Sequence, residues 1–390
     1  MRVLFSSTRG AGHIQPLLPY ASALAAKGHE VLVAGPNDLS VVVSAAGLNH
    51  APFGHPGDKG LAPIWARVRL APVEQQAAMA VQELFAGANA QAAFPGVLDT
   101  IRSWQPQLIV RDSVEFGVLV AAEVTGVPHI RVAVHQRLME EQICRLAAAP
   151  IDRLRQAAGL RADEGAALRA ERIFTSFPSS FEGPAETDTN SPVYRVGPVK
   201  PGAAATLAGW EPDSDGLPLV YITYGTVATT APEAQELYQT ALSAVRELPV
   251  RALLTTGRGF DLRKLGSVPA NVRVEAWVPQ AEVFPHTAVM VCHGGSGTVL
   301  GGLAAGVPQV VVPLGADQPF NARSIAASGA GLALNKPDAA TLRSAIERVL
   351  GDPGFREAAR VTSLEMSTLP TIDEAAEALL ELAQQNVCAG

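Results

Sequence analysis

A rhythm constrains this chain more than any single residue does. A short apolar run, a turn, a helical stretch and another apolar run recur across both halves. MRVLFSS reads as a buried strand. A glycine-containing turn follows, then PLLPYASALAAKG, whose apolar spacing is helical and which stops at Gly28. HEVLVAG, QLIVRDS and PHIRVAVH continue as strands, with a helix over Phe116–Thr125 between the last two. Strand–helix–strand repetition builds a parallel sheet covered by helices.

The rhythm breaks over Ser176–Gly216, where Pro, Gly, Ser and Asp crowd together. It restarts at Leu217 with PLVYITYG, a helix through Glu233–Glu247, VRALLTTG, VRVEAWV, AVMVCHGG, a further helix and PQVVVPL. Ile372–Gln385 reads as a final helix rich in Ala, Glu and Leu. At roughly 150 residues per domain, 390 residues suit two domains. The expected division is 1–200, a linker over 201–216, 217–370, and a closing helix within 371–390 that packs back on the first domain. The expected fold class is α/β, with two Rossmann-like doubly wound domains facing across a cleft. Ligands of such sheets bind at the carboxyl ends of the strands, so the residues that follow each strand carry the functional reading.

Composition removes several function classes. With 48% hydrophobic and 17% charged residues, the chain has ample core material and no disorder signature. Thirty basic against 37 acidic residues leave a net charge of −7. That balance gives neither the footprint of a nucleic-acid binder nor a reason to dock on anionic lipid. Three scattered cysteines, Cys144, Cys292 and Cys388, form no disulfide framework and no metal-site spacing. The N-terminal apolar run is too short for a signal peptide, and no stretch of about 18 apolar residues is free of charge. The expectation is a soluble cytoplasmic protein without membrane insertion; a homodimer is left open.

The first chemical motif is Gly10-Ala11-Gly12-His13-Ile14-Gln15-Pro16, after the first strand. It begins like a dinucleotide fingerprint, but Gln15 stands where the third glycine belongs, which speaks against an NAD-dependent oxidoreductase. His13 sits where a strand ends and a helix begins. An imidazole titrating near pH 6.5 suits proton removal from a hydroxyl; a helix-capping or core histidine is the plain alternative. Asp112 ends the strand QLIVRD in the same sheet and can fix the tautomer of His13. Glu115 is its rival, and a helix N-cap is the alternative role for Asp112.

The second motif is His293-Gly294-Gly295-Ser296-Gly297-Thr298, between a buried strand and a helix. Small residues let a ligand approach the backbone, and the unpaired N–H groups of the helix start make an anion site suited to a diphosphate. His293, Ser296 and Thr298 add donors. The loop lacks the GK[ST] ending of a nucleotide-hydrolysing phosphate loop. Trp277-Val278-Pro279-Gln280 follows another strand, with an indole to stack on a nucleobase and an amide for a ribose or base edge. Asp317-Gln318 places a carboxylate beside an amide, a pairing suited to vicinal sugar hydroxyls, and Thr226 adds a hydroxyl after VYITYG. Asp213-Ser214-Asp215 spells a metal-binding Asp-x-Asp but lies in the polar linker and reads as solvated loop.

Together these residues resemble the nucleotide-sugar-dependent glycosyltransferases of the GT-B fold, closest to the bacterial enzymes that glycosylate antibiotics and other secondary metabolites. The resemblance spans nearly the whole chain: GHxxPLL, the Asp at a later strand end, Gly197-Pro198, WVPQ, HGGSGT, PLGADQ and the closing helix. It implies an inverting, metal-independent transfer from a dTDP- or UDP-sugar co-substrate to a hydroxyl of a small hydrophobic acceptor, such as a polyketide or phenolic, with no further cofactor. His13 would be the general base and Asp112 its orienting carboxylate. Trp277 would stack on the base, and Val278 and Gln280 would contact base and ribose. His293 and Gly295, Ser296, Gly297 and Thr298 would hold the diphosphate, with Thr226 nearby; Asp317 and Gln318 would hold the sugar. A non-catalytic helper of the same fold is the alternative. The stretches His50–Phe94 and His135–Ala149, where acceptor specificity would reside, match no pattern. Trp65, Phe85 and Phe94 there read as core, or as faces for a planar acceptor.

Overall fold

The computed structural model describes residues 1–182, 192–199, 216–225 and 234–387. Thr226, Asp213-Ser214-Asp215, Cys388 and residues 201–215 of the expected linker lie outside the described residues. The chain divides into two compact units. The first comprises Met1–Ser176, Pro184–Gly197 and Pro370–Gly390, the second Phe177–Gly183 and Pro198–Leu369.

The first unit holds seven strands: β1 (Arg2–Ser6), β2 (Glu30–Gly35), β3 (Asn49–Pro52), β4 (Leu108–Asp112), β5 (His129–Ala133), β6 (Ile173–Thr175) and β7 (Val193–Arg195). They form one parallel sheet in the order β3-β2-β1-β4-β5-β6-β7. The second unit holds β8 (Leu219–Thr223), β9 (Arg251–Thr255), β10 (Val272–Glu275), β11 (Thr287–Cys292), β12 (Gln309–Val311) and β13 (Gly331–Ala333), again parallel, in the order β10-β9-β8-β11-β12-β13. Both are doubly wound sheets whose order reverses once, between β1 and β4 and between β8 and β11. At such a switch point adjacent connections leave for opposite faces and open a crevice at the carboxyl ends of the strands.

The central strands β1, β8 and β11 are largely apolar because both faces of each sheet are covered. Along β1, Val3 and Phe5 point into one core with Ile14, Leu17 and Leu24, while Leu4 points into the other with Ile109, Val97 and Val118. In β8, Val220 and Ile222 face one core, and Leu219 and Tyr221 the other. This alternation is the period-two geometry of a strand with two buried sides.

The closing helix Ile372–Val387 belongs to the first unit, burying Ala375, Ala376, Leu379 and Ala383 beside Leu17, Tyr20 and Leu24. A capping box starts it. Glu374 accepts from the Thr371 N–H at 2.7 Å, and the Glu374 N–H donates to Thr371 Oγ1 at 3.3 Å. One segment departs from the sequence reading. Residues 177–182, expected in the first domain, pack in the second unit, because the stacked rings of Phe177 and Phe181 bury there with Leu219 and Phe284.

Candidate active site

In the first unit the switch point lies between β1 and β4, which pair from Val3 with Leu108 to Ser6 with Arg111. The turn after β1 passes through Gly10, whose φ of 125° is open to glycine, into the short helix Ala11–Ile14. Gly10 O accepts from the N–H groups of His13 and Ile14, and buried Ile14 and Leu17 anchor the turn. His13 is left facing the β4 end, its Nδ1 3.6 Å from Asp112 Oδ1. That is an electrostatic contact rather than a made hydrogen bond; such geometry commonly tightens only with substrate bound.

Asp112 is fully buried, and both its oxygens are held. Oδ2 accepts from the Thr8 N–H at 2.7 Å and the Ser7 hydroxyl at 3.1 Å; Oδ1 accepts from the N–H groups of Val114 at 2.7 Å and Glu115 at 3.1 Å. Burial pushes this carboxyl's pKa up, but His13 and the surrounding N–H donors outweigh it, and the net direction is down. Asp112 is therefore an anion facing an imidazole, the arrangement that stabilises a histidine as it gains a proton. It serves its own turn and His13 at once. Glu115 does not compete for that place: it caps the helix Phe116–Thr125 through the Val118 N–H at 2.9 Å. Burial raises its pKa to about 8, so it stays neutral at pH 7.

Replacing Asp112 by Asn should damage both activity and folding. Each carboxylate oxygen receives a backbone N–H, so either orientation of the amide sets NH₂ against a donor. A loss of stability of about 1–3 kcal/mol is expected, together with a kcat loss on the order of 10²–10⁴-fold. A variant with wild-type kcat and wild-type melting would remove Asp112 from the site.

The sequence reading missed a ring cluster around His13. Phe85 lies 5.8 Å from His13 between centroids, and His135 lies 6.1 Å away, edge to face. Phe85 is half-buried on the π-helical segment Ala80–Asn89, a winding often found at functional sites. His135 follows β5, with Nδ1 3.1 Å from Glu140 Oε1 on the helix Arg137–Ala157. Glu140 also takes the Ser113 hydroxyl, next to Asp112. Trp65 is partly exposed, and Phe94 packs against the core beside Val97 and Ile101. No local pattern signals these neighbours, because they come from separate elements and meet only in the fold.

The second unit repeats the plan. His293-Gly294-Gly295 follows β11 and opens the helix Ser296–Ala304, whose N-cap Gly295 brings no capping side chain. Its first N–H groups, with the helix dipole, are the kind of donors that can hold an anion. Gly294 has a φ of 91°. His293 is buried, its ring pressed between two glycines: a Cβ on Gly225 would sit 2.6 Å from Cε1, and one on Gly295 2.5 Å from Nε2. Burial lowers the His293 pKa to about 4 against a weaker pull from Asp317, so the ring is neutral at pH 7 and serves as a hydrogen-bonding group rather than a charge.

Trp277 is 54% exposed, with the Arg258 guanidinium 5.0 Å over its ring. Val278 is buried in the core, so what it can offer a ligand is main chain. Gln280 donates to the Tyr221 hydroxyl at 3.2 Å. Gly297 is exposed, and Thr298 is half-buried on the first turn of the helix. Gln318 is buried, and its amide oxygen accepts from the N–H groups of Leu314 at 2.7 Å and Gly315 at 3.1 Å. Ser296, expected to aim its hydroxyl at a diphosphate, donates to Asp317 Oδ2 at 2.6 Å instead. Among the described residues, no group of three or more His, Cys, Asp or Glu is arranged to hold a metal ion, and no helix is long and apolar enough to cross a membrane.

Comparison with known proteins agrees with this architecture. Residues 22–157 match the N-terminal domain, and residues 242–382 the C-terminal domain, of the erythromycin biosynthesis protein CIII-like family. The elloramycin glycosyltransferase of Streptomyces olivaceus is 34% identical, over 95% of this chain and 94% of its own. Among solved structures, the glycosyltransferase SnogD of Streptomyces nogalater superposes with a TM-score of 0.79 at 30% identity, covering 98% of this chain and 99% of that one. The spinosyn rhamnosyltransferase complexed with thymidine diphosphate has a TM-score of 0.80 at 25% identity, covering 97% and 100%. With two doubly wound parallel sheets, a histidine–carboxylate pair at one switch point and a glycine-capped helix start at the other, the chain belongs to the erythromycin biosynthesis protein CIII-like family and is an NDP-sugar-dependent glycosyltransferase of secondary metabolism.

Proposed function

We propose that the protein is an inverting, metal-independent glycosyltransferase that moves a sugar from a dTDP-sugar to a hydroxyl of a small, largely apolar natural product. The observation that carries this reading is the His13–Asp112 pair at the β1/β4 switch point. His13 takes the acceptor proton, Asp112 stabilises the imidazolium, and the acceptor oxygen attacks the anomeric carbon through an oxocarbenium-like state. The nucleoside diphosphate departs onto the N-terminus of the helix Ser296–Ala304, where N–H groups and neutral His293 receive its charge. Fixed donors thus take the place a cation would fill.

Exposed Trp277 supplies the stacking face for the base, and Asp317 with Gln318 reads the sugar. The half-buried ring of Phe85 beside His13 favours an acceptor with a flat apolar face. The dTDP preference is supported by the related rhamnosyltransferase that binds thymidine diphosphate, and the polyketide class of acceptor by the elloramycin enzyme. A cytoplasmic location is supported by the free, buried thiols of Cys144 and Cys292.

Thermal melts with dTDP, UDP and NAD test the reading. A ligand of the folded state at a hundred times its Kd adds about 2.7 kcal/mol, and dTDP is expected to give the largest shift. EDTA is expected to leave turnover unchanged. A larger shift from UDP would overturn the dTDP assignment. No shift from either diphosphate would overturn the donor site, and loss of turnover in EDTA the metal-free mechanism.

A further inference from the structure

Ser296 begins the anion-binding helix, yet its hydroxyl turns away to Asp317 Oδ2, 2.6 Å distant. Asn321 completes the arrangement. It is fully buried, four residues after Asp317 and on the same face of the helix Gln318–Ala327. Its Nδ2 lies 2.8 Å from Gly294 O, 3.2 Å from Ser296 Oγ and 3.0 Å from Asp317 Oδ2. One amide thus ties the loop after β11 to the loop after β12.

We propose that Ser296 and Asn321 are positioning residues for recognition of the donor sugar. The Ser296 hydroxyl acts on the sugar through Asp317 and does not serve the diphosphate. The inference rests on the donor-site reading above and adds the division of labour within it.

Asp317 Oδ2 accepts twice from protein donors, while among the described residues Oδ1 accepts none. Held on one side, the carboxylate presents its other oxygen to a ligand hydroxyl. Gln318 is complementary. Its amide oxygen is taken up by the Leu314 and Gly315 N–H groups, which leaves Nε2 as its donating end. One fixed acceptor beside one fixed donor suits two neighbouring sugar hydroxyls, each of which both donates and accepts. The turn leading into them is demanding, with Gly315 at φ 158° and Ala316 at φ 54°, so the aim of Asp317 depends on side-chain bonds. Without the Ser296 hydroxyl, Oδ2 keeps only Asn321 and the carboxylate can turn. The diphosphate ligands, which are the helix N–H groups and His293, are untouched.

Calorimetric titration separates the two roles. Wild type, Ser296→Ala, Asp317→Asn and the double variant are titrated with dTDP and dTDP-glucose, and with UDP and UDP-glucose as a second pair. For the pair that wild type holds more tightly, the glucosyl group is expected to strengthen binding. Ser296→Ala should leave the bare diphosphate within twofold of wild type and weaken the sugar-bearing ligand at least fivefold. Added to Asp317→Asn it should do no further harm, since both act through one carboxylate. Equal weakening of both ligands would assign the hydroxyl to the diphosphate and overturn the inference. So would an unchanged Ser296→Ala, additive effects, or a wild type indifferent to the glucosyl group. A wild type that binds none of the four ligands would overturn the donor site itself, a distinct result. Half-buried Ser296 stands at a helix start, and a thermal melt of Ser296→Ala near wild type shows that the variant folds.

Discussion

His13→Ala is expected to lower kcat by about 10²–10⁴-fold, the usual share of a positioned general base. Nucleoside diphosphate affinity should stay within twofold of wild type, because His13 belongs to the first unit and His293 with the helix Ser296–Ala304 to the second. The side chain is partly exposed, and its ring contacts are with Phe85 and His135 at 5.8 and 6.1 Å, so folding should change little. The acceptor pKa sharpens the expectation. An acidic phenol ionises unaided near neutral pH and needs the base least, whereas an aliphatic hydroxyl needs it most. Across a series of acceptors the loss should therefore grow with acceptor pKa. A uniform loss would assign His13 to binding, and wild-type turnover would remove it from the mechanism.

The largest expected effect on stability comes from a residue that the sequence reading did not single out. Glu171 is fully buried and grips Arg111 through both carboxylate oxygens, with Arg111 Nε donating to Oε1 at 2.9 Å and Nη2 to Oε2. Arg131 Nε lies 3.8 Å from Oε2, and His129 Nε2 3.7 Å from Oε1. Burial pushes the Glu171 carboxyl's pKa up, but Arg111, His129 and Arg131 outweigh it and hold it below the ordinary carboxylate range. Glu171→Ala would leave two buried guanidinium groups short of a counter-charge. Breaking a buried pair from one side costs about 3–5 kcal/mol.

Hydrogen exchange at the amides of β4 and β5 reads this loss within the first unit, without assuming that both units unfold together. Replacing Arg111 and Glu171 together by apolar residues of similar size should recover much of it. Unchanged exchange in Glu171→Ala would show the network to be energetically neutral. Activity should fall as well, since Arg111 Nη1 donates to the carbonyls of Asp112 at 2.9 Å and Ser113 at 3.2 Å. The ion pair therefore braces the turn that carries Asp112.

These two residues mark the limits of what a one-dimensional reading reaches. His13 and Asp112 were legible because each stands where an apolar run ends, and a parallel sheet brings all such ends to one edge. The glycine loop at 293–298 was legible for the same reason, since small residues between a strand and a helix have few other uses. Glu171 gave no signal. It lies 60 residues from Arg111 and precedes a three-residue strand, and only the order β4-β5-β6 brings the two together.

The roles of Ser296 and Asp317 show the same boundary at finer scale. Their residue types and places after β11 and β12 were visible, and both were assigned to the donor. The direction of the Ser296 hydroxyl was not, because it depends on Asn321 reaching from the next helix to Gly294 O. Likewise, the placing of Phe85, on Ala80–Asn89, beside His13 is a contact between elements far apart in the chain. Local pattern determined the strands, the helices, the two parallel sheets and which loops hold the chemistry, because apolar periodicity and loop composition are properties of neighbours in sequence. Tertiary structure alone decided where hydroxyls donate and which charges are buried together. Those depend on strand order and side-chain direction, through which residues far apart in the chain come within a few ångströms.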